Sequence, residues 1–327
     1  MKNNTFGEIA AVLEKADSVL ILTHVIIDGD SAGTASALCR ALTSSGKTAH
    51  IYAGEELPSN ISILDYSGFI KNPGNLLDSY DVTVAVDCSD MTRFENRMDY
   101  YERGGIKVNI DHHATNTYYA EYNYVDSDAC AAGEIIYKFM KSAGWNIDAK
   151  IAEAVYVAIV TDSGRFQYSS TTPETHRIAA ELLEAGIDLN TISVAVYQNV
   201  KKSKYILQGK MMQTIEFREN DRFAIAFADT SMFERTGTEI QDSDGFIELL
   251  RDIDTVEVAA FVKQTAPDVM KLGFRSKYDI DVAAIASKFG GGGHVKAAGC
   301  SFKGGIQDVK DALYPEISKI FKERDNN

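Results

Sequence analysis

The stretch Val108-Asn-Ile-Asp111-His112-His113 carries an apolar run straight into one acid and two imidazoles. Three polar, metal-competent side chains in a row are costly to bury unless something binds them. Three other places repeat the pattern. His24-Val-Ile-Ile-Asp28-Gly-Asp30 follows the apolar run at Ser18–Thr23, Asp87 closes Asp81-Val-Thr-Val-Ala-Val, and Asp162 closes the apolar stretch 150–160. Imidazole and carboxylate oxygen together suit Mn²⁺, Mg²⁺, Zn²⁺ or Fe²⁺, and the lack of nearby thiols argues against a structural zinc site. One imidazole with several carboxylates per ion is a hard, hydrolytic type of site. Two ions sharing a bridging carboxylate would activate a water and clamp the attacking and leaving oxygens of a phosphoryl displacement. Singly, each segment reads equally well as a solvated turn. Four of them in one half of the chain read as a metal or catalytic cluster.

A second constellation lies near the C-terminus, in Phe289-Gly-Gly-Gly-Gly-His294-Val-Lys-Ala-Ala-Gly299. A flexible linker is its bland reading. Glycines also let backbone N–H groups approach a phosphate, and a helix starting after them would add a positive dipole. Arg275 would add a bidentate phosphate contact; without the glycine run it would read as a surface arginine. Arg165, Phe166 and Tyr168 follow Asp162 closely. They would hold a phosphate and stack a base, with core packing the equal alternative for the two rings. His50 and His176 lack metal-spaced partners and read as structural.

The elements that must position these groups alternate. Residues 5–16 are an amphipathic helix, and 18–23, 48–53, 81–87 and 106–110 are strands. Residues 32–42, 129–143, 150–160 and 174–185 are helices. Alternation implies a parallel, doubly wound sheet, whose ligands sit outside the carboxyl ends of its strands. His24, Asp28, Asp30, Asp87 and Asp111-His112-His113 all follow such ends. Residues 191–212 read as a helical connector without a turn cluster. Beyond it, 213–218, 223–229, 256–264 and 269–276 alternate like strands of a half-exposed sheet, with Asn220-Asp221 as a hairpin turn. Residues 246–251, 282–288 and 306–322 are helical. The division is 1–190, 191–212 and 213–327.

Composition sets the outer bounds. The chain has 327 residues, enough for two cores. A net charge of −14 argues against a large basic surface for long nucleic acid, but leaves room for a short anionic substrate at a local metal site. The four isolated cysteines read as free thiols of a reducing cytoplasm. Residues 1–15 do not read as a signal peptide, and no apolar run approaches a membrane span.

These motifs resemble those of the DHH/DHHA1 phosphoesterases, most closely the standalone oligoribonuclease (nanoRNase)/pAp phosphatase type, over nearly the whole chain. His24, Asp28 and Asp30 match the first motif, Asp87 the second, and Asp111-His112-His113 the third. Asp162, in Val160-Thr-Asp-Ser-Gly164, matches the fourth, and Gly290–Gly299 with Phe274-Arg275-Ser276 matches the DHHA1 signature. The resemblance implies a doubly wound DHH domain and a smaller α/β DHHA1 domain with a mixed sheet. It also implies two divalent ions, Mn²⁺ first. One would be held by His24, Asp28, Asp87 and Asp162, the other by Asp30, Asp87, His112 and Asp162. Asp111 would orient His112 from behind, and His113 would face the scissile phosphate. Arg165, Arg275, Gly292, Gly293 and His294 would grip the substrate, those of the second domain across a cleft that opens and closes. Two departures stand out. Ile26-Ile27 replaces the family's usual Asn-Pro, which removes a polar contact near the site. Arg165 stands where a small residue is common.

The function expected on this basis is hydrolysis of di- to pentaribonucleotides to nucleoside 5′-monophosphates, with dephosphorylation of 3′-phosphoadenosine 5′-phosphate as an additional activity. The substrate would be short single-stranded RNA or a mononucleotide bisphosphate, with no membrane partner and with a homodimer left open. The alternatives are a linear or cyclic dinucleotide phosphodiesterase of the same family and a non-catalytic nucleotide-binding regulator. Loss of a ligand would mark the regulator, and every expected ligand is present.

Overall fold

A computed structural model describes residues 2–54, 57–64 and 67–326. The chain divides into two compact units, Met1–Asn199 and Val200–Asn327.

The first unit contains α1 (Phe6–Lys15), β1 (Ser18–Leu22), α2 (Gly29–Ser44), β2 (Thr48–Tyr52), β3 (Phe69–Ile70), β4 (Tyr80–Val86), α3 (Met98–Tyr101), β5 (Gly104–Asp111), β6 (Tyr122–Val125), α4 (Ala132–Ser142), α5 (Ala149–Asp162), α6 (Pro173–Glu184) and α7 (Leu189–Tyr197). The strand order is β3-β2-β1-β4-β5-β6, with every pair parallel. The alternating apolar residues of the strands bury two faces. Val19, Ile21, Val82, Val84, Val108 and Ile110 join the core of α1, α2, α4 and α5. Leu20, Leu22, Tyr80 and Ala85 meet Phe94 and Tyr101 on the other face. The chain leaves β1 toward β2 on one side and has β4 on the other, so the order reverses between β1 and β4. A crevice opens at the carboxyl ends of strands at such a point.

Helix α2 is rich in small residues because it packs closely on α5. A Cβ on Gly33 would lie 2.4 Å from the Ala154 carbonyl oxygen. The Asp28 side chain caps α2 by accepting from Ser31 N at 2.9 Å.

The second unit contains α8 (Lys202–Met212), β7 (Glu216–Arg218), β8 (Phe223–Ala228), α9 (Thr230–Thr236), α10 (Phe246–Arg251), β9 (Val258–Ala266), β10 (Val269–Ser276), α11 (Val282–Ser287), β11 (Gly292–His294), β12 (Ala297–Lys303) and α12 (Ile306–Asp325). Its sheet, β11-β12-β10-β9-β8-β7, is mixed: β8 and β9 run parallel and the other neighbours antiparallel. Phe223, Ile225, Val258, Ala260 and Phe274 bury one face with α11 and α12. Ala224, Ala226 and Phe261 bury the other with α8 and α10.

Several expectations change. Strands β3 and β6 are not foreseen, being only two and four residues long. The stretch 191–212 is not one helix: α7 and α8 are separate, and the two units divide between them at Asn199 and Val200. Strand β8 is buried on both faces rather than half-exposed, because helices cover both sides. The glycine run does not open a helix. It follows α11 and enters the β11–β12 hairpin, so no helix dipole points from it. Asn220 and Asp221 do form a hairpin turn, with Glu219, Asn220 and Asp221 all at positive φ. Among the described residues no helix is long and apolar enough to cross a membrane. The four cysteines are free and buried.

Candidate metal centre

Five elements deliver the polar cluster. His24 follows β1, Asp28 and Asp30 cap and open α2, Asp87 follows β4, His112 and His113 follow β5, and Asp162 is the last residue of α5. Asp87 takes a left-handed φ of 56°, the turn by which its strand end leaves the sheet.

Asp87 lies at the centre. Its Oδ2 is 3.4 Å from His24 Nε2 and its Oδ1 is 3.4 Å from His112 Nε2. His24 Nε2 is also 3.6 Å from Asp28 Oδ2. His112 Nε2 is 3.7 Å from Asp30 Oδ2 and 3.6 Å from Asp162 Oδ2. The ligand atoms gather as His24/Asp28/Asp87, Asp30/His112/Asp162 and Asp87/His112/His113. All six residues expected to hold metal therefore come together. Asp162 joins the Asp30/His112 group, and His24, Asp28 and Asp87 form the other.

The arrangement fits divalent ions. Separations of 3.4–3.7 Å are too long for good hydrogen bonds. They are close to the spacing of ligand atoms that share one ion at bond lengths of about 2.0–2.2 Å. Asp87 Oδ1 and His24 Nδ1 are buried without hydrogen-bond partners. A buried acceptor left so costs about 1–3 kcal/mol unless a cation serves it. The donors are carboxylate oxygen and imidazole nitrogen with no thiolate, a hard set.

The charges are strongly coupled. Burial would lower His24, but the carboxylates of Asp28 and Asp87 outweigh it and raise its pKa to about 9. Burial opposes His112 likewise, and Asp87 and Asp30 lift it to about 10. Asp87 is held down at about 2, because the two imidazoles outweigh its burial. Burial raises Asp162 to about 6, with Asp87 and Asp28 adding to the effect. Burial and the neighbouring Asp87 push Asp30 well above the usual carboxylate range.

Behind the cluster, two supports were not read from the sequence. Asp30 accepts from the backbone N–H groups of Ala132 (2.7 Å) and Gly133 (3.0 Å), at the start of α4, and from the Thr34 hydroxyl (3.0 Å). Asn116 donates to Asp111 Oδ2 at 2.6 Å and to Asn109 Oδ1 at 2.8 Å. Nothing periodic marks Asn116; its position five residues after Asp111 is the available signal.

Asp111 departs from its expected role. Its Oδ1 is 2.8 Å from His113 Nδ1, whereas His112 Nδ1 faces the Ala129 carbonyl at 3.3 Å. The hydrogen bond and charge of Asp111 raise the His113 pKa against a smaller effect of burial.

The other candidates are placed as follows. The Arg165 guanidinium lies 4.0 Å over the Tyr197 ring, and the residue is exposed at φ 62°. Phe166 packs on the core and stacks on His176, whereas Tyr168 is exposed. His50 Nδ1 pairs with the Tyr80 hydroxyl at 2.8 Å. Ile27 is buried and Ile26 is 77% exposed, so one of the two isoleucines serves the core. In the second unit Arg275 is not a loose surface arginine, since its Nε donates to Glu248 Oε1 at 3.0 Å. Gly292, Gly293 and His294 are exposed in β11.

Comparison with known proteins agrees with this architecture. Residues 18–159 match the model of the DHH family, N-terminal domain, and residues 220–323 match that of the DHHA1 domain. The chain is 32% identical to the bifunctional oligoribonuclease and PAP phosphatase NrnA of Thermus thermophilus, covering 95% of this chain and 94% of that protein. It is 26% identical to the protein of the same name from Bacillus subtilis, with coverage of 97% and 99%. The crystal structure of an exopolyphosphatase-related protein from Bacteroides fragilis has the same fold, with a TM-score of 0.90 at 23% identity and coverage of 97% and 96%. Two domain matches in sequence order, and a relative of nearly equal length, lead to one conclusion: the chain belongs to the DHH/DHHA1 phosphoesterase family.

Proposed function

We propose that this chain is a divalent-metal phosphoesterase that hydrolyses short oligoribonucleotides to nucleoside 5′-monophosphates and also dephosphorylates 3′-phosphoadenosine 5′-phosphate. The observation that carries the reading is Asp87, whose two oxygens face two different imidazoles at 3.4 Å. The names of the relatives, oligoribonuclease and PAP phosphatase, supply the substrate classes.

His24, Asp28 and Asp87 would hold one ion, and Asp30, His112, Asp162 and the second oxygen of Asp87 the other. Mn²⁺ suits this donor set. When bound, such a pair supplies Lewis acidity for a water and for the phosphoryl oxygens. His113 does the remaining proton work. Its Nδ1 is engaged by Asp111 and its side chain is 40% exposed, so Nε2 is the atom that meets a phosphoryl or leaving oxygen. Asp111 favours the protonated imidazole, which leaves Nε2–H to donate. Arg165 would bind a phosphate from its seat on Tyr197. In the second unit Arg275, Gly292, Gly293 and His294 are the proposed substrate contacts.

Product analysis tests the reading. Protein with Mn²⁺ would be incubated with 5′-phosphorylated diadenylate, pentaadenylate, a long RNA, pAp, cyclic di-AMP and pyrophosphate. The expected result is AMP from the short RNAs, phosphate from pAp and sparing of the long RNA. Turnover of the cyclic dinucleotide or pyrophosphate alone would replace this reading. Binding of nucleotide with no turnover at all would make the chain a regulator.

A further inference from the structure

The second unit holds a cavity of about 630 Å³ on the sheet face that α10 leaves uncovered. Register defines its floor. Lys271 on β10 lies directly opposite Lys263 on β9, and opposite Ser301 on β12. One step along, Gly273 faces Phe261 and Gly299. Successive strand residues point to opposite faces, so Lys271, Gly273 and Arg275 share this face with their cross-strand partners. The two glycines lower the middle of the floor, which Phe261 and Ile247 of α10 flank with apolar side chains. Lysines stand at one end and Arg275 at the other.

The lysine pair is the unexpected feature. Like charges directly opposite on neighbouring strands are destabilising, with Cβ atoms about 5 Å apart. Here they occur in a chain of net charge −14, where acidic partners are plentiful. Lys263 is drawn partly aside by Asp244 at 3.3 Å, while Lys271 is exposed and no acid pairs with it among the described residues. Arg275 is held in place by Glu248 and by the Phe274 carbonyl through Nε and Nη1. A groove with a lysine pair at one end and a fixed arginine at the other suits an extended anion, not a single phosphate.

The geometry points to Lys271 and Lys263, with Ser301, as a binding site for a backbone phosphate of a short oligoribonucleotide, separate from the Arg275 and glycine-hairpin contacts. Arg275 lies four positions beyond Lys271 along β10, which is about 13 Å of strand. That distance is about twice the spacing of adjacent phosphates on an extended single strand, so the two ends suit phosphates two nucleotides apart rather than two oxygens of one. The ligand class rests on the proposed function; the groove itself does not depend on turnover.

The test is binding of fluorescein-labelled 5′-phosphorylated pentaadenylate to the full chain in EDTA, by anisotropy across a salt series. AMP serves as the one-phosphate competitor. Each single-strand phosphate contact contributes about 0.7 to the slope of log K against log salt. Lys271→Ala should lower that slope by about 0.7 and weaken the pentamer about five-fold or more at low salt, leaving AMP within about two-fold. Lys271→Arg should restore the slope, which a merely structural role for the lysine would not predict. Lys263→Ala should act in the same direction. No pentamer binding by the wild type, or an unchanged slope in Lys271→Ala, would overturn the site. Pentamer that binds with the expected slopes but is not hydrolysed in Mn²⁺ would overturn the proposed function and leave the groove standing.

Discussion

Asp111 Oδ1 and His113 Nδ1 lie 2.8 Å apart, with the Asp111 side chain fully buried and Asn116 on its other oxygen. The acid thus fixes the ring with Nδ1 inward and Nε2 outward. His112, whose Nε2 faces Asp30, Asp87 and Asp162, is set by a backbone carbonyl instead.

Asp111→Asn keeps the shape but removes the charge. The expected loss in kcat is about 10²-fold, the lower range for one proton-transfer group, with bound metal unchanged. Because Asp111 raises His113, its removal should also move the alkaline limb of the rate profile to lower pH. Activity would be lost earlier as pH rises if, as proposed, the protonated imidazole of His113 is the active form. Stopped assays from pH 6 to 10 and metal analysis of the same samples check both outcomes.

Asp87→Asn and Asp28→Asn should differ. Asp87 faces both imidazoles from a buried position, whereas the Asp28 side chain is 56% exposed and faces His24 alone. The first substitution should weaken both ions and the second only one. Equilibrium titration with Mn²⁺ would read this as loss of two binding events against loss of one. Equal behaviour would argue against a shared carboxylate.

Metal uptake should release protons. His24 is raised to about 9 and His112 to about 10, so both are charged at neutral pH in the metal-free chain. A divalent ion must displace those protons, and below about pH 6 that of Asp162 as well. Affinity should therefore climb with pH and weaken steeply below pH 6. Calorimetry in two buffers of different ionisation enthalpy measures the protons directly; identical heats would contradict the prediction. Stability follows the same linkage. The folded pKa of His24 lies above its ordinary 6.5, so its contribution is whole below that value and fades as pH rises through about 9. The metal-free chain should lose thermal stability over that window, and the metal-bound chain should not.

Gly33→Ala should cost about 1–3 kcal/mol, the range for overpacking a tight contact. The new Cβ would meet the Ala154 carbonyl oxygen at 2.4 Å and Ala158 N at 3.0 Å. Because α2 carries Asp30 and α5 carries Asp162, pushing the helices apart should also weaken metal binding at the His112 side more than at the His24 side. Chemical denaturation and the same Mn²⁺ titration test the two effects.

Read alone, the chain marks a set of acids and imidazoles suited to hold metal and shows roughly where they sit. Apolar runs ending in His24, Asp87 and Asp111 mark strand ends, because a buried parallel strand needs continuous apolar residues and a charged group can be tolerated only where the strand leaves the core. Tertiary structure decided how those ends meet. The reversal of strand order between β1 and β4 brings His24 and Asp87 together across 63 positions of sequence, and the close approach at Gly33 adds Asp30 and Asp162. It also decided who orients whom. Asp111 is adjacent to His112 in sequence yet bonds His113, because hydrogen bonds follow side-chain direction and not chain order. The glycine run shows the same limit. Four glycines permit a strand, a turn or a phosphate loop equally, and pairing with Ala297–Lys303 makes part of them the edge strand β11. Local composition can state what a residue is able to do, but which partner it meets is a long-range contact that only the packed chain supplies.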